Sequence, residues 1–425
     1  MRKKFITFAI TALILTVLAS CSNGRGSGYE TEASHDYPPS ESAGGAPLPG
    51  ANIDPGELIT REELLPSSEV ISITSFDGYN IQGRLTLPGS ERIETLVIFV
   101  NATGPQTFDT RRNFGDELGF VNFNDLYATR FQERNIAFFS YNTRGVSIGG
   151  EFPLFFTVND TQFLTHLPAN QVRDIYYMIN AIRAMDARLE NSHIILWGHS
   201  EGTIISTIFA ELYPHMVDAL ILISTYVDNM YDVLMWELTG GGWMVWGRDN
   251  FDTDNYGRIS REAFEADPNN LRESGVLWAT FEELDANNDG FIDEQDFYIL
   301  WQMWREGVFR AIANNNNLWL TNNYGRQTAQ WFQEHFTLQS NMERLPVLDL
   351  PIYIFHGTLD TNADVNRVAA LEERLAELNR TNVTINILEG YDNELNVWRY
   401  LVYEEMPDGM QAAFDAVFYL NTVAR

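Results

Sequence analysis

The chain holds one cysteine in 425 residues, Cys21, which excludes internal disulfides and any cysteine metal site. Basic side chains are scarce: 28 Lys and Arg against 58 Asp and Glu leave a net charge of −30. Phosphate binding needs clustered cations, so this balance argues against a nucleic-acid partner and suits an acidic, soluble surface outside the cytoplasm. The leading apolar run, Phe5 to Ala19, falls short of the roughly 20 residues that span a bilayer. Histidine is rare and unevenly placed: all seven (35, 166, 193, 199, 215, 335, 356) precede Asp360.

What is present begins with a leader. Arg2, Lys3 and Lys4 precede the apolar run in the pattern of a secretory signal. "LASC", Leu18 to Cys21, closes it and resembles the lipobox of bacterial lipoproteins, in which the cysteine is lipidated and becomes the mature N-terminus. The resemblance implies a membrane-anchored extracytoplasmic lipoprotein, in the periplasm or at the cell surface, held through Cys21. Residues 22–57 are rich in Gly, Ser, Pro and Glu, lack the aliphatics a core needs, and read as a flexible tether reaching about 30 Å.

Two alternating runs, Val70 to Phe76 and Asn80 to Leu87, flank Asp77-Gly78 and predict an antiparallel hairpin. Continuous apolar runs follow at Leu96–Val100, Ile136–Tyr141, Ile194–Trp197, Ala219–Ile223, Ile352–Phe355 and Val383–Leu388, as in strands buried on both faces of a parallel sheet. Helical stretches at Asp125–Arg134, Ala169–Leu189, Thr203–Leu212 and Ala363–Leu378 separate most of them. The alternation predicts a doubly wound α/β sheet with its site at the carboxyl ends of the strands. Between Val227 and Pro346 the rhythm breaks, and eight of the ten tryptophans fall there, which predicts an insertion with its own core.

"ILWGHSEGT" fits G-x-S-x-G at Gly198, Ser200 and Gly202, between a strand and a helix; a strained turn there needs small neighbours so the serine oxygen can stand clear. "VNATGPQTFDTR", "YNTRGVSIGGEF" and the H-G-x-x-D of "IFHGTLDTNADV" extend the match, and residues 70–425 outside the insertion resemble the α/β-hydrolase family. The resemblance implies Ser200 as nucleophile, Asp360 as the acid of a triad, and Thr103 and Glu201 as backbone oxyanion donors. Two departures stand in "YNTRGVSIGGEF": one glycine is missing, and Asn142 replaces an Asp. The third matters more. Where family members carry a histidine in a segment like "GVDHELN", this chain reads "GYDNELN" and Asn393 takes the position. An amide cannot accept a proton near neutral pH, so Asn393 is no general base. His335 swinging in from the insertion, or Asp392 or Glu394, are the alternative bases; His199 and His356 read as structural.

"LDANNDGFIDEQDF" resembles an EF-hand calcium loop, offering Asp285, Asn287, Asp289, the Phe291 carbonyl, Asp293 and Asp296, with Gly290 at the sharp turn. Aspartate in the last position is one methylene shorter than the usual glutamate, which leaves room for magnesium as well as calcium. "FDTDNYGRISREAF" imitates the same loop from Asp252, with Tyr256 and Ala263 at two ligand positions, and reads as a pairing partner. The expected organisation is a signal peptide over 1–20, a tether over 21–57, a hydrolase core over 58–229 and 346–425, and a helical EF-hand-like lid over 230–345. The expected ligand is a small acyl or ester compound, either hydrolysed or bound without turnover. A calcium-stabilised interaction module is the remaining alternative.

Overall fold

A computed structural model describes residues 67–113, 120–149, 155–252, 257–272, 274–277 and 279–423. The leader, lipobox and tether lie outside them.

Eight strands form one sheet: β1 (Ser68–Thr74), β2 (Asn80–Thr86), β3 (Thr95–Val100), β4 (Ala137–Tyr141), β5 (His193–His199), β6 (Ala219–Ile223), β7 (Ile352–Gly357) and β8 (Val383–Leu388). Their order is β1-β2-β4-β3-β5-β6-β7-β8. β1 and β2 form the antiparallel hairpin, with Ile73 opposite Ile81, and β2 runs antiparallel to β4. Every other neighbouring pair is parallel. The central strands need continuous apolar runs because both of their faces are covered, whereas the edge strand β8 is only half-buried. In β3, Leu96, Ile98 and Val100 enter one core while Val97 and Phe99 enter the other.

Five helices flank the sheet: α1 (Phe123–Gln132), α2 (Pro168–Met185), α3 (Glu201–Leu212), α4 (Val365–Glu377) and α5 (Asp408–Val423). α2, α3 and α4 cover one face, and α1 and α5 the other, where Phe414 stacks within 5.5 Å of Trp197. The helix expected to run to Leu189 stops at Met185, because Asp186 is extended (φ −137°) and accepts the Arg188 N–H to start a separate 3₁₀ turn. α5 was not anticipated. Its apolar positions Met410, Ala413, Phe414 and Val417 have helical spacing, but it lies past the last motif and forms because the second face needs a cover.

Between β6 and β7 lie short helices spanning Met230 to Arg344. They serve two cores, which differs from the expected single one. Met244, Phe251, Phe264, Phe281, Ile292 and Phe297 make a separate small core, whereas Trp331, Phe332, Val308 and Leu320 join the main one. Among the described residues no helix is long and apolar enough to cross a membrane.

Candidate active site

Ser200 sits between β5 and α3 with φ 54° and ψ −118°, a left-handed conformation that a non-glycine residue holds only under constraint. The flanking glycines explain how the turn is tolerated. A Cβ at Gly202 would collide with the Val100 carbonyl oxygen, and one at Gly198 would lie 2.6 Å from the Gly202 carbonyl oxygen. The Ser200 N–H donates to the Ile223 carbonyl (3.0 Å), and its own carbonyl accepts from Thr203 (2.9 Å).

Thr103 and Gly104 follow β3, next to β5. Thr143 pins this loop: its hydroxyl donates to the Gly104 carbonyl (3.2 Å) and accepts the Gln106 N–H (3.1 Å). Asn142, the departure from the family's Asp, accepts the Phe108 N–H at 2.8 Å and serves the same loop.

Asp360 lies just past β7, two strands from Ser200, and is 1 % exposed. Among the described residues no imidazole bridges it to the serine; His356 Nε2 lies 3.5 Å from its Oδ2, but that ring is held by backbone groups. Instead the Ser224 hydroxyl donates to Oδ2 (2.6 Å) and the N–H groups of Asn362 (2.8 Å) and Ala363 (3.1 Å) donate to Oδ1. Ser224 is itself held at φ 53° just past β6, a second strained residue at the same sheet edge. His356 accepts the Thr225 N–H at Nδ1 (3.1 Å), and its Nε2 faces the Ala363 carbonyl (3.3 Å). These bonds make it a buried structural histidine.

The segment of Asn393 is where the family resemblance places it. The Leu359 N–H donates to the Tyr391 carbonyl (2.9 Å), and the Asn393 carbonyl accepts from His199 Nε2 (3.0 Å), the residue before Ser200. The backbone thus spans from the acid's loop to the serine's strand with an amide in place of an imidazole. Of the two neighbouring carboxylates, Glu394 is taken by Arg112 through two bonds of 2.7 and 2.5 Å, which holds it below its ordinary pKa. Asp392 is pushed up to about 6 by burial, and its Oδ1 already accepts the N–H groups of Glu394 and Asn396.

His335 points elsewhere. Its Nε2 faces Glu201 Oε1 at 3.1 Å, and the same oxygen accepts from Trp331 Nε1 (2.8 Å) and Gln171 Nε2 (2.7 Å). Glu201 and His335 are 0 % and 1 % exposed. The alternative base considered above is therefore a buried contact fastening the insertion to the residue after Ser200. The insertion touches the site a second time at Gly242, where a Cβ would collide with the Thr361 carbonyl oxygen beside Asp360.

His166 completes the buried group under the insertion. Burial lowers its pKa to about 4. A histidine whose folded pKa lies below its unfolded value of about 6.5 contributes stability that is fully present above pH 6.5 and is lost as pH falls toward 4. The expected loss is about 3 kcal/mol. Denaturant unfolding at pH 7.5 and 4.5 should show His166→Asn gaining on the parent at the lower pH; a constant difference would refute it. Asp392 works in the opposite direction, losing stability as pH rises toward 6, so the comparison with the variant is the readout.

In the Asp285–Asp296 loop the carboxylates turn to the loop's own backbone. Asp285 accepts the N–H groups of Asp289 (3.0 Å) and Gly290 (3.1 Å), and Asp296 those of Asn287 (3.1 Å) and Asp293 (2.8 Å). Asn287 Oδ1 accepts from Asp289, Asp289 Oδ1 from Phe291, and Asp293 Oδ1 from Gln295. Ile292 pairs antiparallel with Ile259 of the imitating loop, whose residues 253–256 lie outside the described ones. Among the described residues no three His, Cys, Asp or Glu side chains converge in a metal-holding group. The donor chemistry still fits a hard divalent cation, and among the described residues the buried Asp296 carboxylate has no cationic partner.

A parallel sheet carrying a serine on a strained strand-to-helix turn, with a buried aspartate past a nearby strand, defines a hydrolase-type protein. The profile described as "alpha/beta hydrolase fold" matches residues 139–384, more than half of the chain, and the chain belongs to that family. Among solved structures it is similar to a highly thermostable carboxyl esterase from Bacillus coagulans (13 % identity, 85 % of this chain, 100 % of that one, TM-score 0.48). It is also similar to an esterase from Exiguobacterium antarcticum (12 %, 83 % and 100 %, TM-score 0.43). A third is an acylaminoacyl peptidase from Pyrococcus horikoshii (11 %, 83 % of this chain but 41 % of that one, TM-score 0.46). No curated protein sequence matches the chain. Identities this low speak to fold alone.

Sequence reasoning missed Ser224, His166, Gln171 and Tyr226. None sits in a motif, and each reaches the site by folding.

Proposed function

We propose that this protein is a lipid-anchored extracytoplasmic hydrolase acting on an ester or related acyl compound, with a rate limited by the absent imidazole. Ser200 would attack the carbonyl carbon, the N–H groups of Thr103 and Glu201 would receive the oxyanion, and Asp360 is the triad acid. The observation that carries the reading is the strained Ser200 backbone at the carboxyl edge of β5, between two glycines that allow its hydroxyl to stand clear of the sheet. An oxyanion hole and pocket without a base are worth about 10³ to 10⁴ over water. Slow hydrolysis of short-chain nitrophenyl esters by the parent protein, absent in Ser200→Ala, is the expected result. Equal rates for the two proteins would overturn the reading.

A second reading, a ligand-binding relative without turnover, is favoured by the occupation of Asp360 by Ser224, Asn362 and Ala363. It predicts carbonyl-ligand binding by the parent with no product.

We also propose that the Asp285 loop takes calcium as an ion that orders the insertion, through Asp285, Asn287, Asp289, the Phe291 carbonyl, Asp293 and Asp296. The pairing of Ile259 with Ile292 supports this, because it joins the two loops as one unit. Calcium at 100 times its Kd should stabilise the folded state by roughly 2.7 kcal/mol. Thermal unfolding with calcium and with chelator measures it; the shift should vanish in Asp285→Asn, and identical midpoints in the parent would end the proposal.

A further inference from the structure

The side chain that faces the nucleophile is a phenol. Tyr226 stands three residues past β6, is 8 % exposed, and brings its hydroxyl within hydrogen-bonding range of the side chains of Ser200 and Thr103. The contact to Thr103 is loose, since Thr103 Oγ1 makes no fully formed bond. Asp360 lies close enough to act on the phenol by charge. The backbone of Tyr226 is fixed at both ends. Its N–H donates to Thr203 Oγ1 (3.2 Å) in the first turn of α3, and its carbonyl accepts from Asn341 Nδ2 (2.8 Å). Asn341 is in turn held by the Thr207 hydroxyl (2.6 Å).

A hydroxyl that reaches both the nucleophile and the oxyanion loop lies where the oxygen of an attacked carbonyl must come. We propose that Tyr226 is a catalytic residue: its O–H donates a hydrogen bond to the carbonyl oxygen of an acyl ligand held against Ser200, as a third donor beside the Thr103 and Glu201 N–H groups. The inference rests on Ser200 being the nucleophile. Burial raises the phenol above its ordinary pKa, so it stays protonated at working pH and acts as donor, never as base. No proton leaves Tyr226. The ligand class that follows is a neutral ester or activated carbonyl, whose oxygen gains charge on attack and so gains most from a fixed donor in a dry site.

The test uses an alkyl fluorophosphonate on the intact protein. Ser200 Oγ bonds to phosphorus, the P–F bond breaks, fluoride leaves and the serine proton passes to solvent. Tyr226→Phe keeps the ring and is checked by its unfolding midpoint. The expected result is an unchanged midpoint with a labelling rate about 10²-fold below that of the parent, the scale for loss of one oxyanion donor. With nitrophenyl esters the loss should fall on kcat and leave KM within a few-fold. Both rates should keep the same pH profile between pH 6 and 9. Labelling of Tyr226→Phe at the parental rate overturns the inference while leaving Ser200 as nucleophile. Faster labelling also overturns it, by making Tyr226 a plug. A parent that does not label, like Ser200→Ala, removes the hydrolase reading and this inference together.

Discussion

Asn393→His is expected to raise kcat for ester hydrolysis about 10²-fold, with KM little changed. Losing the histidine of a serine-protease triad costs about 10⁶, and giving it the wrong acid partner costs about 10⁴, so an imidazole restored without its acid recovers the difference. The acid is where the shortfall arises. Asp360 Oδ2 is held by the Ser224 hydroxyl and Oδ1 by two backbone N–H groups, so an imidazole arriving from position 393 has to share Oδ2 with Ser224. Adding Ser224→Ala frees Oδ2, and the double variant should exceed Asn393→His alone by a further order of magnitude or more. A new pH dependence should accompany the gain, with rate rising through the range where imidazole loses its proton. If single and double variants both stay within threefold of the parent, the 393 segment does not present its side chain to Ser200.

His335→Ala is expected to lower the free energy of unfolding by about 3 kcal/mol, because it empties a buried site and takes a hydrogen-bond partner from a buried carboxylate. Glu201 would keep only the neutral donors Trp331 and Gln171 at Oε1, and its Oε2 makes no hydrogen bond at all. Burial pushes the Glu201 pKa up, and the contact with His335 does most to hold it below its ordinary value. Glu201→Gln should cost less, since an amide is cheaper to bury, and adding it to His335→Ala should restore part of the loss. Urea unfolding of the four proteins decides the matter. Additivity within about 0.5 kcal/mol would mean that no coupling exists. Esterase rates of His335→Ala should stay within a few-fold of the parent, provided it is folded; a larger loss would make His335 the base after all.

The sequence-based expectations fail and succeed in instructive places. The hairpin was readable from its alternation about Asp77-Gly78, and the central strands because a strand buried on both faces must be continuously apolar; β8, half-buried at the sheet edge, was readable from its β-branched residues alone. The elbow was readable because Gly198 and Gly202 are demanded by backbone contacts within a few residues of Ser200. The insertion was visible only as excess length and tryptophan. Its division into two cores was not, since Trp243 packs on Phe297 while Trp331 packs on the main core, and the two residues have the same chemical character.

By itself the sequence determined the fold class, the serine set between Gly198 and Gly202, and the lack of an imidazole at position 393, since local spacing and residue chemistry carry each of these. Only the tertiary structure decided what replaces that imidazole around the site. Ser224 reaches Asp360 across 136 residues, His335 reaches Glu201 across 134, and Tyr226 meets Ser200 because β5 and β6 are neighbours in the sheet. Such partners are chosen by strand order and by where the insertion folds back, and neither quantity is carried by any one stretch of chain.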